Sequence, residues 1–222
     1  MNSRPAYIVG SIRTPFVKSM TKYADITLQD LMTTTLQKLV DKIGLQGKLI
    51  GDVALGAVIK SSLDWNFGRE CVLGTNLDPH TPGYTLQRAC GTSLEAAWQI
   101  ALKISHHQID SGVAGGADTN SDLPLVLKRS LAQKLLESHQ SKDFMTKLRI
   151  WATLRPSDFK PETPGIVEPR TYLSMGQHCE KMVQEWKISR EAQDELALKS
   201  HQNGVDAYKE GFYADLVFDL WA

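Results

Sequence analysis

Gln87-Arg88-Ala89-Cys90-Gly91-Thr92-Ser93-Leu94-Glu95-Ala96-Ala97 is the stretch of this sequence best equipped for chemistry. A short extended run, Tyr84 to Arg88, delivers a single cysteine and turns at once into a helix reaching about Ser105. A thiol at a helix start sits among unpaired backbone N–H groups and the positive end of the macrodipole. Both favour the thiolate, which is the nucleophile. The small neighbours Ala89 and Gly91 let a substrate carbonyl approach closely. Cys90 is therefore a candidate nucleophile for covalent catalysis, with a buried structural cysteine as the alternative. Leu94, Ala96, Ala97, Trp98, Ile100, Ala101 and Ile104 fall on most faces of the helix, which predicts burial all round.

The other candidates have duller readings. Cys71 lies in an apolar setting and reads as core. His178 and Cys179 are adjacent on a helical stretch, where neighbouring side chains point about 100° apart and do not meet. Gly115-Gly116 lacks the spacing of a phosphate-binding motif and reads as a tight strand end where backbone approaches backbone or ligand. His106-His107 is explained by the negative end of the helix it closes. Acyl transfer through a thiol also needs a general base and an oxyanion hole. Sequence alone does not place His80, His139 or His201 beside Cys90.

The chain has 222 residues, enough for a sizeable core, and a formal net charge of zero. Lys and Arg are scattered, so no basic stripe points to nucleic acid. No apolar run approaches a membrane span, and Met1 to Pro5 lacks the apolar core of a signal peptide. Three widely spaced cysteines fit neither a disulfide framework nor a CxxC metal site, and a reducing compartment is expected.

Around Cys90 the elements alternate. Ala6–Ile12 predicts a strand stopped by Pro15. Thr27, with Asp30, caps a helix carrying Leu28, Leu31, Met32, Leu36, Leu39, Val40 and Ile43, and Gly44 ends it. Residues 52–59 read as a doubly buried strand, 67–73 as a short helix, 84–88 as a strand and 111–117 as another. This rhythm predicts a parallel or mixed sheet covered by helices. It breaks at Asp118. From there to about Lys187, prolines at 156, 161, 164 and 169 punctuate a long excursion of the kind that forms a lid or inserted subdomain. Leu123 to Leu154 mixes Lys and Arg with large apolar residues, suiting a membrane surface, a partner or a phosphorylated cofactor, although a solvated cover is the commoner outcome. Residues 172–186 predict a helix. Ser189 caps a longer one that stops at Gly211, and Leu216–Leu220 starts a strand.

Five motifs, in order, resemble the amino-terminal half of the thiolase family of acyl-CoA acyltransferases. They are Ser11-Ile12-Arg13-Thr14-Pro15-Phe16, the Cys90 stretch, Gly115-Gly116-Ala117-Asp118, Ser174-Met175-Gly176-Gln177-His178-Cys179-Glu180, and Ser189-Arg190-Glu191-Ala192-Gln193-Asp194-Glu195 with Ser200-His201-Gln202. Ser121-Asp122-Leu123-Pro124-Leu125 and the insert after it are most similar to the fatty-acid-oxidation branch, which includes the β-subunits of trifunctional complexes. The resemblance implies an α/β thiolase-like fold, a mixed sheet covered by helices. It divides the chain into a core at 1–118, a loop-domain insertion at 119–188, and a last helix and closing strand at 189–222. It implies Cys90 as nucleophile in 3-ketoacyl-CoA thiolysis or the reverse Claisen condensation, with Met175 and Gly176 near the substrate. Coenzyme A enters as substrate, and no covalently bound cofactor is expected. Expected partners are acyl-CoA and CoA, a second copy of the chain, a hydratase–dehydrogenase subunit and peripheral membrane contact. The implied location is the cytoplasm, or the mitochondrial matrix in a eukaryote.

The sequence departs from the family pattern in three places: Gln87 replaces an Asn, Gly91 a Ser, and Asp118-Thr119-Asn120 a Glu-Ser-Met. The family's second half carries a catalytic His in a Gly-His-Pro motif and a second Cys, neither of which occurs here. The chain alone is thus expected to lack full activity, as a fragment, a truncated frame or one piece of a split enzyme. A ketoacyl synthase is disfavoured by the Met-Gly and Ser-Arg-Glu motifs. A non-catalytic acyl-CoA-binding or assembly module is the rival from a different class.

Overall fold

The computed structural model describes residues 3–162 and 165–220, so Pro164 lies outside the described residues. The chain forms two compact units, residues 1–123 with 196–222 and residues 124–195.

The first unit is built on a three-stranded sheet: β1 (Asp52–Gly56), β2 (Gly83–Leu86) and β3 (Gly112–Gly116), in the order β2-β1-β3. Both pairings are parallel. Central β1 is buried along its whole length, and its alternation separates two apolar layers. Val53 and Leu55 pack with helices α1 (Leu28–Ile43) and α2 (Phe67–Leu73), while Ala54 packs with α3 (Thr92–Ser105). Helices thus cover both faces, as a parallel sheet requires. The ends of α1 match the sequence reading: the Asp30 N–H donates to Thr27 Oγ1 at 3.1 Å, and Gly44 takes a left-handed φ of 72°.

Four expectations need correction. Ala6–Ile12 forms no strand, and Tyr7, Ile8 and Val9 are exposed. Leu216–Leu220 forms none either; Val217 makes a single parallel bridge, to Arg13. A strand is defined by its ladder to a neighbour, which local alternation cannot supply. The third concerns α3, which is buried only along Thr92, Ala96 and Ile100. Leu94, Trp98 and Leu102 are 77, 60 and 39% exposed, an apolar stripe at i, i+4 and i+8. Strand β1 also stops at Gly56, short of the expected 59, because the Val58 and Ile59 N–H groups turn to the Asp118 carboxylate, each at 2.9 Å.

In the second unit α4 (Arg129–Gln140) packs on α5 (Phe144–Ala152), with Trp151 Nε1 donating to Ser138 Oγ at 2.8 Å. A 3-10 turn at Pro156–Phe159 brings in Asp158. Its carboxylate accepts from Lys134 Nζ and Ser130 Oγ, both at 2.8 Å, and from the Arg155 N–H at 2.9 Å. Lys134 is the main cause, ahead of Arg155 and Ser130, holding this carboxyl far below the usual carboxylate range. A depressed pKa contributes stability that is complete above roughly pH 4 and is lost as pH falls toward the folded value. Asp158→Asn is therefore expected to lower the melting temperature at neutral pH, with the gap to wild type closing as pH falls below roughly 4. A gap independent of pH in melting curves would refute this. Helix α6 (Met175–Glu185) also belongs to this unit, whereas most of α7 (Arg190–Lys209) belongs to the first, and Gly211 just beyond it takes a left-handed φ of 73°.

Candidate active site

Parallel strands put their carboxyl ends on one side, and Cys90 stands there. Gly56 pairs in register with Leu86 on one flank and Gly116 on the other, forming the last row of the sheet. From Leu86 the chain runs four residues to Cys90, and α3 starts at Thr92 with Gly91 as its N-cap. The thiol is exposed. No side chain caps α3, and the helix starts at the same end of the sheet as the turn that carries the cysteine.

The turn is tightly specified. The Gly91 N–H donates to Arg88 O at 3.0 Å, and the Thr92 N–H to Ala89 O at 3.2 Å. Ala89 has a φ of 44°, in the left-handed region, which costs a residue with a Cβ about 1–2 kcal/mol. The Thr92 hydroxyl accepts from the Arg88 N–H at 2.8 Å and donates to Ala89 O at 2.7 Å. Across the turn, Arg88 Nη1 meets Glu95 Oε2 at 2.7 Å. Gln99 and then Arg88 lower the Glu95 pKa through hydrogen bonds, and Gln99 Oε1 in turn accepts from Tyr84 Oη at 2.8 Å.

The glycines of the last row let α3 sit directly on the sheet. A Cβ at Gly56 would stand 2.1 Å from Thr92 Cγ2 and 2.6 Å from Leu86 O. One at Gly116 would stand 2.6 Å from Gly56 O and 2.8 Å from Ser93 Oγ. Gly116 is thus a close approach of backbone to backbone and helix, whereas a Cβ at Gly115 would meet only side chains at 3.5 Å or more. Two departures from the family pattern also have work here. Gln87 Nε2 donates to Val58 O at 2.8 Å, and Asp118 accepts from Val58 and Ile59, so the exits of all three strands are tied together.

The remaining candidates lie elsewhere. Met175 and Gly176 open α6 in the second unit, behind a capping box in which the Gln177 N–H donates to Ser174 Oγ and the Ser174 N–H to Gln177 Oε1. Met175 is exposed, and a Cβ at Gly176 would meet only Ser174 Oγ at 3.8 Å, so space does not demand glycine. His178 Nε2 lies 3.1 Å from Thr171 Oγ1, and His80 Nδ1 2.8 Å from Asp78 Oδ1. Cys71 is fully buried, as expected of core. A cavity of about 610 Å³ opens between residues 12–19 and 116–121, and Cys90 is not in its lining. Sequence reasoning missed Thr92 and Gly56, and singled out Ala89 for its small size but not for its positive φ; a glycine within an otherwise apolar strand was the available signal.

The arrangement can present a sulfur nucleophile to an electrophilic carbonyl and aim helix-start N–H groups at the same side. A thioester to Cys90 is the product such a site can form.

Residues 6–218 match the family model described as thiolase, N-terminal domain. A 3-ketoacyl-CoA thiolase of Yersinia pestis is 37% identical over 214 residues, 96% of this chain and 49% of its own length. A 3-ketoacyl-CoA thiolase of Yersinia pseudotuberculosis gives the same figures, 37%, 96% and 49%. Among solved structures, the Bacillus anthracis acetyl-CoA acetyltransferase superposes with a TM-score of 0.78 at 24% identity, covering 98% of this chain and 51% of the other. A thiolase of Ascaris suum in complex with coenzyme A gives 0.77 at 20%, covering 98% and 52%. The chain spans about half the length of the curated relatives it matches.

Proposed function

Since this chain belongs to the thiolase family, matching its amino-terminal domain, we propose that it supplies the nucleophilic half of an acyl-CoA acyltransferase. Cys90 Sγ attacks the keto carbon of a 3-ketoacyl-CoA. The bond between that carbon and the acetyl-CoA methylene then breaks, and the methylene takes a proton as acetyl-CoA leaves. A second CoA thiol displaces the acyl group from Cys90 and returns a proton to the enzyme sulfur. The reverse sequence is a Claisen condensation. The observation that carries this reading is the placement of Cys90 on a rigid turn at the carboxyl end of a parallel sheet. Met175 and Gly176 serve the substrate side, and coenzyme A is a substrate, not a resident cofactor.

The proton transfers need groups of the kind the family keeps in its other half, so the chain by itself turns over negligibly. With acetoacetyl-CoA and CoA, the purified chain is expected to give acetyl-CoA at the rate of a protein-free control. Added carboxy-terminal half of a family member is expected to raise that rate, and Cys90→Ala to abolish the gain. Robust turnover by the chain alone would refute the half-site reading. Absence of complementation would favour the second reading, a non-catalytic acyl-CoA-binding or assembly module. The exposed stripe of α3 and the exposed apolar residues Phe144, Met145 and Leu148 of α5 support that one. They also suit the proposed association with a second copy, a hydratase–dehydrogenase subunit or a membrane surface.

A further inference from the structure

We infer that Thr92 is a positioning residue for Cys90: its hydroxyl locks the Arg88–Ala89 backbone in the left-handed turn that presents the thiol. The inference rests on the reading of Cys90 as nucleophile, and it names the part of the site that makes that cysteine usable.

Thr92 is 5% exposed, the first residue of α3 and the only side chain that bridges both limbs of the turn through one atom among the described residues. Its Oγ1 accepts from the Arg88 N–H before the turn and donates to the Ala89 carbonyl within it. Those two groups lie at either end of the Arg88–Ala89 segment, and the second belongs to the left-handed Ala89 itself. An alanine holds that conformation only where its surroundings over-determine it. Here the hydroxyl of a residue only 5% exposed makes both bonds, and each holds one end of the segment in place. The hydroxyl is itself fixed, because Thr92 Cγ2 fills the space left by the missing side chain of Gly56. The order of support runs from sheet to thiol: Gly56 seats the Thr92 methyl, the Thr92 hydroxyl holds Ala89, and Ala89 aims Cys90 at the start of α3.

Thr92 is within two residues of the thiol but makes no hydrogen bond to it in this structure, so its action is through the backbone. That separates it from a group that touches substrate. It also predicts which chemistry suffices: serine keeps the hydroxyl and loses only the methyl, whereas valine keeps the shape and loses both bonds.

The test is the second-order rate of iodoacetamide alkylation at each cysteine, followed by peptide mapping across pH 6–10. Labelling at Cys71 serves as an internal monitor of the core, since that thiol is fully buried. Thr92→Val is expected to slow Cys90 about tenfold and to displace its pH–rate profile, with Cys71 still protected. Thr92→Ser is expected to fall between wild type and Thr92→Val, because the hydroxyl can still make both bonds while the methyl that seats it on Gly56 is lost. Should Thr92→Val expose Cys71, Ala89→Gly in the same chain decides: glycine takes a positive φ without strain and is expected to restore the Cys90 rate. An unchanged Cys90 rate and profile in Thr92→Val, or no recovery with Ala89→Gly, overturns the positioning role while the nucleophile stands. A wild-type Cys90 no faster than Cys179 overturns the nucleophile reading, and this inference with it.

Discussion

Cys71 is expected to react with iodoacetamide at least about a hundredfold more slowly than Cys90 in the native chain. Cys71 lies in α2 with no exposed surface, packed in the cluster that includes Phe67, Leu36 and Val53. Burial is the main cause that pushes its thiol up from 9.0 to about 11, partly offset by a hydrogen bond with Thr33. Two units of pKa cut the thiolate fraction about a hundredfold at any pH below both values, and shielding of the sulfur lowers the rate further. Cys90 and Cys179 are both exposed. Between them Cys90 is expected to be faster, since it adjoins the uncapped start of α3. Mass-spectrometric mapping after brief labelling checks the order, and Cys71 modified as early as the others would show that the core is open. A raised thiol pKa contributes stability that is complete below about pH 9 and is lost as pH rises through about 11, so stability should fall less steeply across that window in Cys71→Ser than in wild type.

Phe67→Ala is expected to cost about 3–5 kcal/mol of unfolding free energy, the largest stability loss from any single side chain discussed for this fold. Phe67 opens α2, is fully buried, and packs with Leu28 and Leu36 of α1 and with Val53 and Leu55 of β1. Truncation removes the anchor common to three elements and leaves a cavity that rigid helices and a sheet fill poorly. Phe67→Leu should cost visibly less because it keeps most of the volume. Urea denaturation followed by far-UV circular dichroism measures both, and a loss below about 1 kcal/mol for Phe67→Ala would contradict this packing. The site would feel the same change, because β1 ends in Gly56, on which Thr92 rests.

The helices were the most legible elements. Thr27 and Gly44 bracket α1 as their residue types demand, and α2 and the Ser189 start of α7 follow the same local rules. Strands were legible where an apolar run coincides with burial on both faces, as in β1, and not where a neighbour decides. Tyr7, Ile8 and Val9 alternate no better or worse than a true strand, but nothing in their own sequence supplies a ladder. Helix α3 was misjudged for a related reason. Apolar residues on every face state what the helix could bury, while the sheet covers only the side of Ala96 and Ile100. At the site, Cys90 stands out by residue type. The parts that hold it do not, since a threonine at a helix start looks like any cap, and an alanine at positive φ carries no mark in its one-letter identity.

The stripe of Leu94, Trp98 and Leu102 has a thermal consequence. Any surface that closes over it removes apolar area from water, and such closure carries a negative heat-capacity change. Association through α3 should therefore weaken on cooling, whereas salt should matter little at a stripe without charges. Titration calorimetry at several temperatures would read this face of the helix directly, as the slope of enthalpy with temperature.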